Sequence, residues 1–143
     1  FDDTGLETLK SLIDIPVIGI GEAAFHVAAL SGGHFSTVTT LAQSVPIIEE
    51  NIERYGFTHK SRRVRASGVP VLALEEHDTE PADQIIAEAK RALAEDECDT
   101  IVLGCAGMAD LATRVTAEIG KPAIDGVVAA VGLCEAIHRT KPV

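Results

Sequence analysis

Tryptophan is absent, and aromatic residues of every kind make up only 3% of the 143 positions. A platform for stacking nucleic-acid bases, or an aromatic hot spot for a protein partner, needs more rings than this chain supplies. Basic residues are also scarce: 12 Lys and Arg stand against 22 Asp and Glu, a formal net charge of −10. Such a chain repels phosphate backbones and anionic lipid, so nucleic acid and membrane surfaces are not expected partners. No apolar run approaches the roughly 20 residues that span a bilayer. The first residues, Phe1-Asp2-Asp3-Thr4-Gly5, are acidic and unlike a signal peptide. Cysteine is limited to Cys98, Cys105 and Cys134, with no CxxC and no ligand-spaced histidine pair. That fits neither a disulfide framework nor a structural zinc site, and it reads as a reducing, cytoplasmic setting.

A hydrophobic fraction of 46% and a charged fraction of 24% are those of a globular chain. The length allows one domain or two small lobes sharing a core. Short β-rich runs alternate with longer helical patterns, which predicts an α/β fold with parallel strands flanked by helices. Strands are expected at Pro16–Ile20, Phe35–Thr40, Thr100–Gly104 and Pro122–Gly126. Arg63–Ala66 is a further candidate, while Pro70 argues against Val69–Leu74 as a central strand. Helices are expected at Glu22–Leu30, closed by Gly32-Gly33, and at Leu41–Arg54, ending before Gly56. Others are expected from Pro81 through Leu93, at Met108–Ile119 as an amphipathic helix, and at Val127–Arg139.

One internal repeat stands out. Pro16-Val17-Ile18-Gly19-Ile20-Gly21-Glu22-Ala23-Ala24 matches Pro122-Ala123-Ile124-Asp125-Gly126-Val127-Val128-Ala129-Ala130 in its Pro, Ile and Ala-Ala positions. Each copy follows a helical stretch, marked by Leu6, Leu9, Leu12 and Ile13 in the first and by Leu111, Val115 and Ile119 in the second. This is one βα unit in two copies rather than a solenoid. The second copy is preceded by Leu103-Gly104-Cys105-Ala106-Gly107. By symmetry an equivalent of Cys105 is expected just before Phe1, and the 143 residues read as the C-terminal part of a longer polypeptide.

Cys105 is the foremost chemical candidate. It follows a buried strand, lies between Gly104 and Gly107, and precedes a helix. In open α/β sheets ligands bind at that strand-to-helix turn. Small neighbours let a substrate reach backbone N–H groups, and a helix start favours a thiolate. A small buried core residue is the plainer alternative for any free cysteine. Cys98 sits among Glu95, Asp96, Glu97 and Asp99, which oppose thiolate formation, and reads as structural. Cys134 is expected in the core, on the apolar face of the last helix. Thr39 and Thr40 close a strand, where paired hydroxyls either donate to a carbonyl or carboxylate or cap the next helix; the two roles are compatible. Thr4-Gly5 has the same standing. The histidines have no metal-ligand spacing; His34 borders a site only through its nearness to Thr39, and His59 and His77 lie in polar surroundings. The basic run His59–Arg65 is expected as a solvated face pairing with Glu75, Glu76 and Asp78. No Walker loop, dinucleotide fingerprint, nucleophile elbow, HExxH or EF-hand is present.

Val102-Leu103-Gly104-Cys105-Ala106-Gly107-Met108 followed by Pro122-Ala123-Ile124-Asp125-Gly126-Val127 resembles the second half of the hydantoin racemases. These belong to the cofactor-independent aspartate/glutamate/hydantoin racemase superfamily. Phe1–Gly5, Pro16–Ala23 and Phe35–Thr40 agree, so the resemblance spans essentially the whole chain. It implies a pseudo-symmetric two-lobed fold with flavodoxin-like lobes. Residues 1–20 would be the remainder of the first lobe, 21–125 the second lobe, and 126–143 a C-terminal helix returning to the first. It implies one catalytic cysteine from each lobe: Cys105 is the second, and the first directly precedes the segment matching Phe1. Thr39, Thr40, Gly5, Gly104, Ala106 and Gly107 are implied as substrate-binding, with no metal and no cofactor. The implied partners are a small 5-substituted hydantoin and, as a homo-oligomer, other copies of the chain. Allantoin racemases, aryl-malonate decarboxylases and maleate isomerases are relatives with different substrates. A non-catalytic flavodoxin-like domain binding a small anion at Thr39-Thr40 is the competing class.

Overall fold

The computed structural model describes residues 1–74 and 79–140. Four parallel strands, β1 (Phe35–Thr39), β2 (Ser61–Ala66), β3 (Thr100–Leu103) and β4 (Ala123–Asp125), form one sheet in the order β2-β1-β3-β4. Around it, among the described residues, lie six α-helices: α1 (Leu6–Leu12), α2 (Ile20–Ser31), α3 (Val45–Arg54), α4 (Glu80–Glu95), α5 (Ala112–Ile119) and α6 (Gly126–Thr140). The expected α/β class with parallel strands is what the chain adopts. Phe35–Val38 pairs in register with Thr100–Leu103, and Ile101–Leu103 with Ala123–Asp125.

The two central strands are buried on both faces, so their sequences are β-branched and apolar without alternation. On one face Val38, Ile101 and Leu103 meet Ile85, Ile86 and Ala89 of α4 and Val115 of α5. On the other, Phe35 and Val102 meet Phe25 of α2 and Ile48 and Ile52 of α3. Phe25 stacks on Phe35 at 5.7 Å between centroids. Removing a fully buried Ile85 or Ile101 side chain to Ala costs about 2–5 kcal/mol.

Four expectations need correction. Pro16–Ile20 is not a buried strand: Pro16 is exposed, Gly19 is extended but unpaired, and Ile20 already begins α2. No neighbouring strand among the described residues offers it backbone partners. The helix expected from Met108 begins instead as a 3₁₀ turn, Ala106–Leu111, and becomes α-helical only at Ala112. Cys134 is exposed rather than core, because among the described residues no element covers the far half of α6. The basic run is not wholly a solvated face. Arg65 is 7% exposed and grips Asp96 (2.6 Å), Glu88 (3.1 Å) and Glu95 (2.6 Å) across α4. The expected partners Glu75, Glu76 and Asp78, and with them His77, lie outside the described residues. These bonds raise the Arg65 pKa well above its usual value, Asp96 foremost, against the opposing effect of burial. Burial alone would raise Asp96, but hydrogen bonds from Arg65 and Ser36 outweigh it and hold the carboxyl below its usual range.

The internal repeat has a structural counterpart. From α1 at Leu6 to α5 at Ala112, and from α2 at Ile20 to α6 at Gly126, the separation is the same 106 positions. The two longer helices pack on each other through Ala23, Ala129 and Ala130, small residues that allow close approach.

Candidate active site

Gly104 follows the last residue of β3, and its position leaves no room for a side chain. A Cβ there would stand 2.8 Å from Cγ2 of Thr37 and 3.2 Å from Cβ of Thr39, so only glycine passes so close to β1. Its N–H donates to Val38 O at 2.8 Å, and its carbonyl accepts the Thr39 hydroxyl at 3.1 Å. Cys105 follows, extended and half-buried, and opens the 3₁₀ turn. The Met108 N–H closes that turn on Cys105 O at 3.0 Å, and the Met108 side chain is wholly buried beneath it. The N–H groups of Ala106 and Gly107 come before this first bond of the turn and are its leading donors. Cys105 thus stands at the carboxyl edge of the sheet with a thiol and two backbone donors on one short turn.

Thr39 and Thr40 are brought to the same edge. Both are buried, and their carbonyls accept the N–H groups of Ser67 and Gly68 at 2.8 Å each. Neither hydroxyl caps the following helix, since no side-chain cap is made there. The 3₁₀ turn Val71–Leu74 walls the site: a Cβ at Gly107 would meet Leu74 Cδ1 at 3.3 Å, Val71 Cγ1 at 3.5 Å and Cys105 Sγ at 3.7 Å. Sequence reasoning missed Ser67-Gly68 and this wall. The signal available for them was Ser67-Gly68 before Val69-Pro70, a turn at the end of a basic strand.

Other candidates stand apart. Gly5 opens α1 with φ +79°, and its carbonyl accepts from Leu9, within its own helix. His34 lies at the opposite end of β1 from Thr39, held to Asp99 through its backbone, so it does not border this edge. Cys98 packs under α4 and donates to Ala92 O at 3.6 Å; burial, with Asp96 adding to it, pushes its thiol up. A cavity of about 580 Å³, lined among others by Lys10, Ile13, Ile18, Glu22 and Leu133, lies between α1, α2 and α6 and does not include Cys105. In that hollow Lys10 and Glu22 are bridged to each other at 2.7 Å, so the thiol and free backbone donors of the Cys105 turn are the stronger place to look for a reaction.

Two carboxylates also escaped the sequence. Asp125, 8% exposed, ends β4 opposite Leu103 and accepts the Val127 N–H at 2.7 Å, capping α6. The repeat pairs Asp125 with Gly19, which has no side chain to cap α2. Asp3 does so instead, accepting from Gly21 N–H at 3.2 Å and Glu22 N–H at 2.9 Å. Any Cβ at Gly19 would lie 2.4 Å from the Asp3 carboxylate.

The family model described as Asp/Glu/Hydantoin racemase matches residues 1–134. A hydantoin racemase of Rhizobium meliloti is 47% identical over 137 residues, covering 96% of this chain and 57% of the relative. The allantoin racemase structure from Klebsiella pneumoniae superposes with a TM-score of 0.92 at 41% identity, over 96% of this chain and 56% of that one. The allantoin racemase structure from Pseudomonas fluorescens gives 0.94 at 40% identity, over 97% and 59%. The chain therefore spans little more than half the length of the relatives it matches.

Proposed function

Because the chain belongs to the Asp/Glu/hydantoin racemase family, we propose that it supplies one of two proton-transfer groups of a cofactor-independent racemase of 5-monosubstituted hydantoins. Cys105 is that group. The reading is carried by the half-buried thiol on a turn that Gly104 brings to the carboxyl edge of the sheet. The hydrogen on C5 of a hydantoin is acidified by the adjacent carbonyl. The Cys105 thiolate takes that proton from one face, and the C–H electron pair moves onto the carbonyl oxygen as an enolate. The N–H groups of Ala106 and Gly107 hold this oxygen. A thiol on the opposite face returns a proton to C5, inverting the centre, and the two sulfurs exchange protonation states.

Thr39 serves by donating its hydroxyl to Gly104 O and so fixing the turn, and Thr40, buried beside it at the same strand end, lines the substrate's surroundings. Neither remaining cysteine suits the second role, because Cys98 is packed under α4 and Cys134 lies on the exposed half of α6. The chain thus supplies one of the two groups while spanning little more than half the length of its relatives, and in this reading residues 1–20 and 126–143 belong to a first lobe and 21–125 to the second. Allantoin, a hydantoin bearing a ureido group at C5, is the alternative substrate, favoured by the allantoin racemases at 40–41% identity.

The test is incubation of the polypeptide carrying this chain with single enantiomers of 5-isopropylhydantoin and of allantoin in D2O. Loss of optical rotation with deuterium at the stereocentre is expected for one or both. Racemisation that requires added pyridoxal phosphate or a divalent metal would sink the reading.

A further inference from the structure

The wall beside Cys105 is apolar, and it closes on the thiol itself. A Cβ built on Gly107 marks one point that lies 3.3 Å from Leu74 Cδ1, 3.5 Å from Val71 Cγ1 and 3.7 Å from Cys105 Sγ. Glycine leaves that corner open, so two branched apolar side chains and the sulfur share one small hollow beside the turn. Cys105, Ala73 and Leu74 all pack on the core that contains Val69 and Met108. Val71 nevertheless keeps 42% of its surface exposed. An apolar side chain left in water next to a thiol is a surface that the apolar part of a ligand can cover. From Ser67 to Leu74 the sequence has one polar side chain, that of Ser67, and its hydroxyl is already engaged. It donates to Thr40 O and accepts the Val69 N–H, at 3.4 Å each. The Thr39 hydroxyl is spent on Gly104 O. A polar group entering the hollow finds no side-chain partner among the described residues of this wall, and its lost bonds to water go uncompensated.

From this convergence we infer that Val71 and Leu74 are specificity-determining residues: with the open corner at Gly107 they receive the substituent on C5, and they select an apolar one. The inference rests on the reading that Cys105 takes the C5 proton. The reacting carbon then stands about 3–3.5 Å from Sγ. Its substituent is one bond further on, at the corner where Val71 and Leu74 meet the sulfur. Gly107 sets the size that this corner admits, and the lining sets its polarity. The pair 5-isobutylhydantoin and allantoin isolates polarity, because an isobutyl and a ureido group have equal numbers of heavy atoms and the same branching.

The experiment measures kcat/KM for racemisation of 5-methyl-, 5-isobutyl- and 5-benzylhydantoin and of allantoin by the polypeptide carrying this chain. Wild type is expected to favour 5-isobutylhydantoin over allantoin by about tenfold or more. Val71→Thr, which exchanges a methyl for a hydroxyl at nearly equal size, is expected to cut that ratio by about threefold or more. Gly107→Ala puts a methyl into the corner and is expected to lower 5-isobutylhydantoin by about tenfold or more relative to 5-methylhydantoin. Val71→Ala widens the corner and shifts the preference the other way, raising 5-benzylhydantoin by about threefold or more relative to 5-isobutylhydantoin. A loss of stability lowers all substrates alike and does not give opposite shifts in the two variants. Allantoin racemised as well as 5-isobutylhydantoin by the wild type would overturn the inference while leaving the racemase reading intact. Parallel losses for every substrate in both Gly107→Ala and Val71→Ala would do the same. A wild-type protein that racemises none of the four compounds would overturn both.

Discussion

The two copies of the βα repeat share their Pro, Ile and Ala-Ala positions and differ in structure. In the second, Pro122 leads into β4, whose residues Ala123–Asp125 pair with β3. In the first, Pro16–Gly19 forms no strand and pairs with no strand among the described residues. The helices that follow start 106 residues apart, at Ile20 and Gly126, and pack against each other. A strand is thus a property of a pair of segments, while a helix satisfies its own backbone and forms in either setting. The difference extends to chemistry. Among the described residues a thiol turn precedes the second copy, and the cap that Asp125 provides locally there is supplied to the first from Asp3.

The sharpest test of that asymmetry is to remove the thiol. Cys105→Ala is expected to abolish racemisation, a loss of at least 10³-fold in kcat, as when a proton-transfer group is lost. Cys98→Ala and Cys134→Ala should leave kcat within a few-fold. Polarimetry on the three variants decides; a folded Cys98→Ala protein without activity would overturn the assignment.

A control lies outside both copies. Arg65→Ala removes the cation that faces Glu88, Glu95 and Asp96 and leaves two of those carboxylates buried. Breaking a buried pair in this way is expected to cost about 3–5 kcal/mol in urea unfolding. The sign of its pH dependence follows from Asp96, whose carboxyl the fold holds below its usual value. Its contribution is present above the unfolded carboxylate pKa of about 3.9 and is lost as pH falls through the lower folded value. The gap between wild type and Arg65→Ala should accordingly narrow in acid, and a gap that widens there would refute the account.

Local signals carried well from sequence to structure and non-local ones did not. β1 and β3 were legible because central strands buried on both faces are continuous in apolar and β-branched residues. Cys105 was legible because its glycines and the strand end are adjacent in the chain. Arg65 was misread as solvated because its partners Glu88, Glu95 and Asp96 lie 23, 30 and 31 residues away. Asp3 was passed over for the same reason: the N–H groups it caps are 18 and 19 residues distant. Cys134 lies on the far half of a helix that, among the described residues, is covered only at its start, where Ala129 and Ala130 meet α2.

A smaller change probes how the first copy obtained its cap. Gly19→Ala places a methyl group 2.4 Å from the Asp3 carboxylate and must displace it. A loss of about 1–3 kcal/mol in thermal or urea unfolding is expected, the range of an overpacked site. Asp3→Gly in the same chain should relieve most of the clash, because the group it meets is then gone. If Gly19→Ala is neutral alone, the Asp3 carboxylate is not where the geometry puts it.

The finest comparison uses positions that the repeat makes equivalent. Leu9 of α1 and Val115 of α5 are 106 residues apart and occupy the same turn of equivalent helices. Val115 is fully buried against Ile101 and Leu103, whereas Leu9 is 47% exposed. Val115→Ala should therefore cost about 1.5–3 kcal/mol, the value of a buried valine side chain. Leu9→Ala removes more carbon but from a side chain still half in water, and should cost no more than about 0.5 kcal/mol. Measured by urea unfolding on the 143-residue chain, the ratio reports how far the first copy's helix lacks a covering layer. Repeating Leu9→Ala in the longer polypeptide sharpens the point. If the loss there rises toward that of Val115→Ala, a further layer covers α1 in the whole protein, and the two copies become alike in packing although only one carries Cys105. If the loss stays small in both, α1 is a surface helix, and its exposed Leu12 and Ile13 are scattered surface apolars rather than half of an interface.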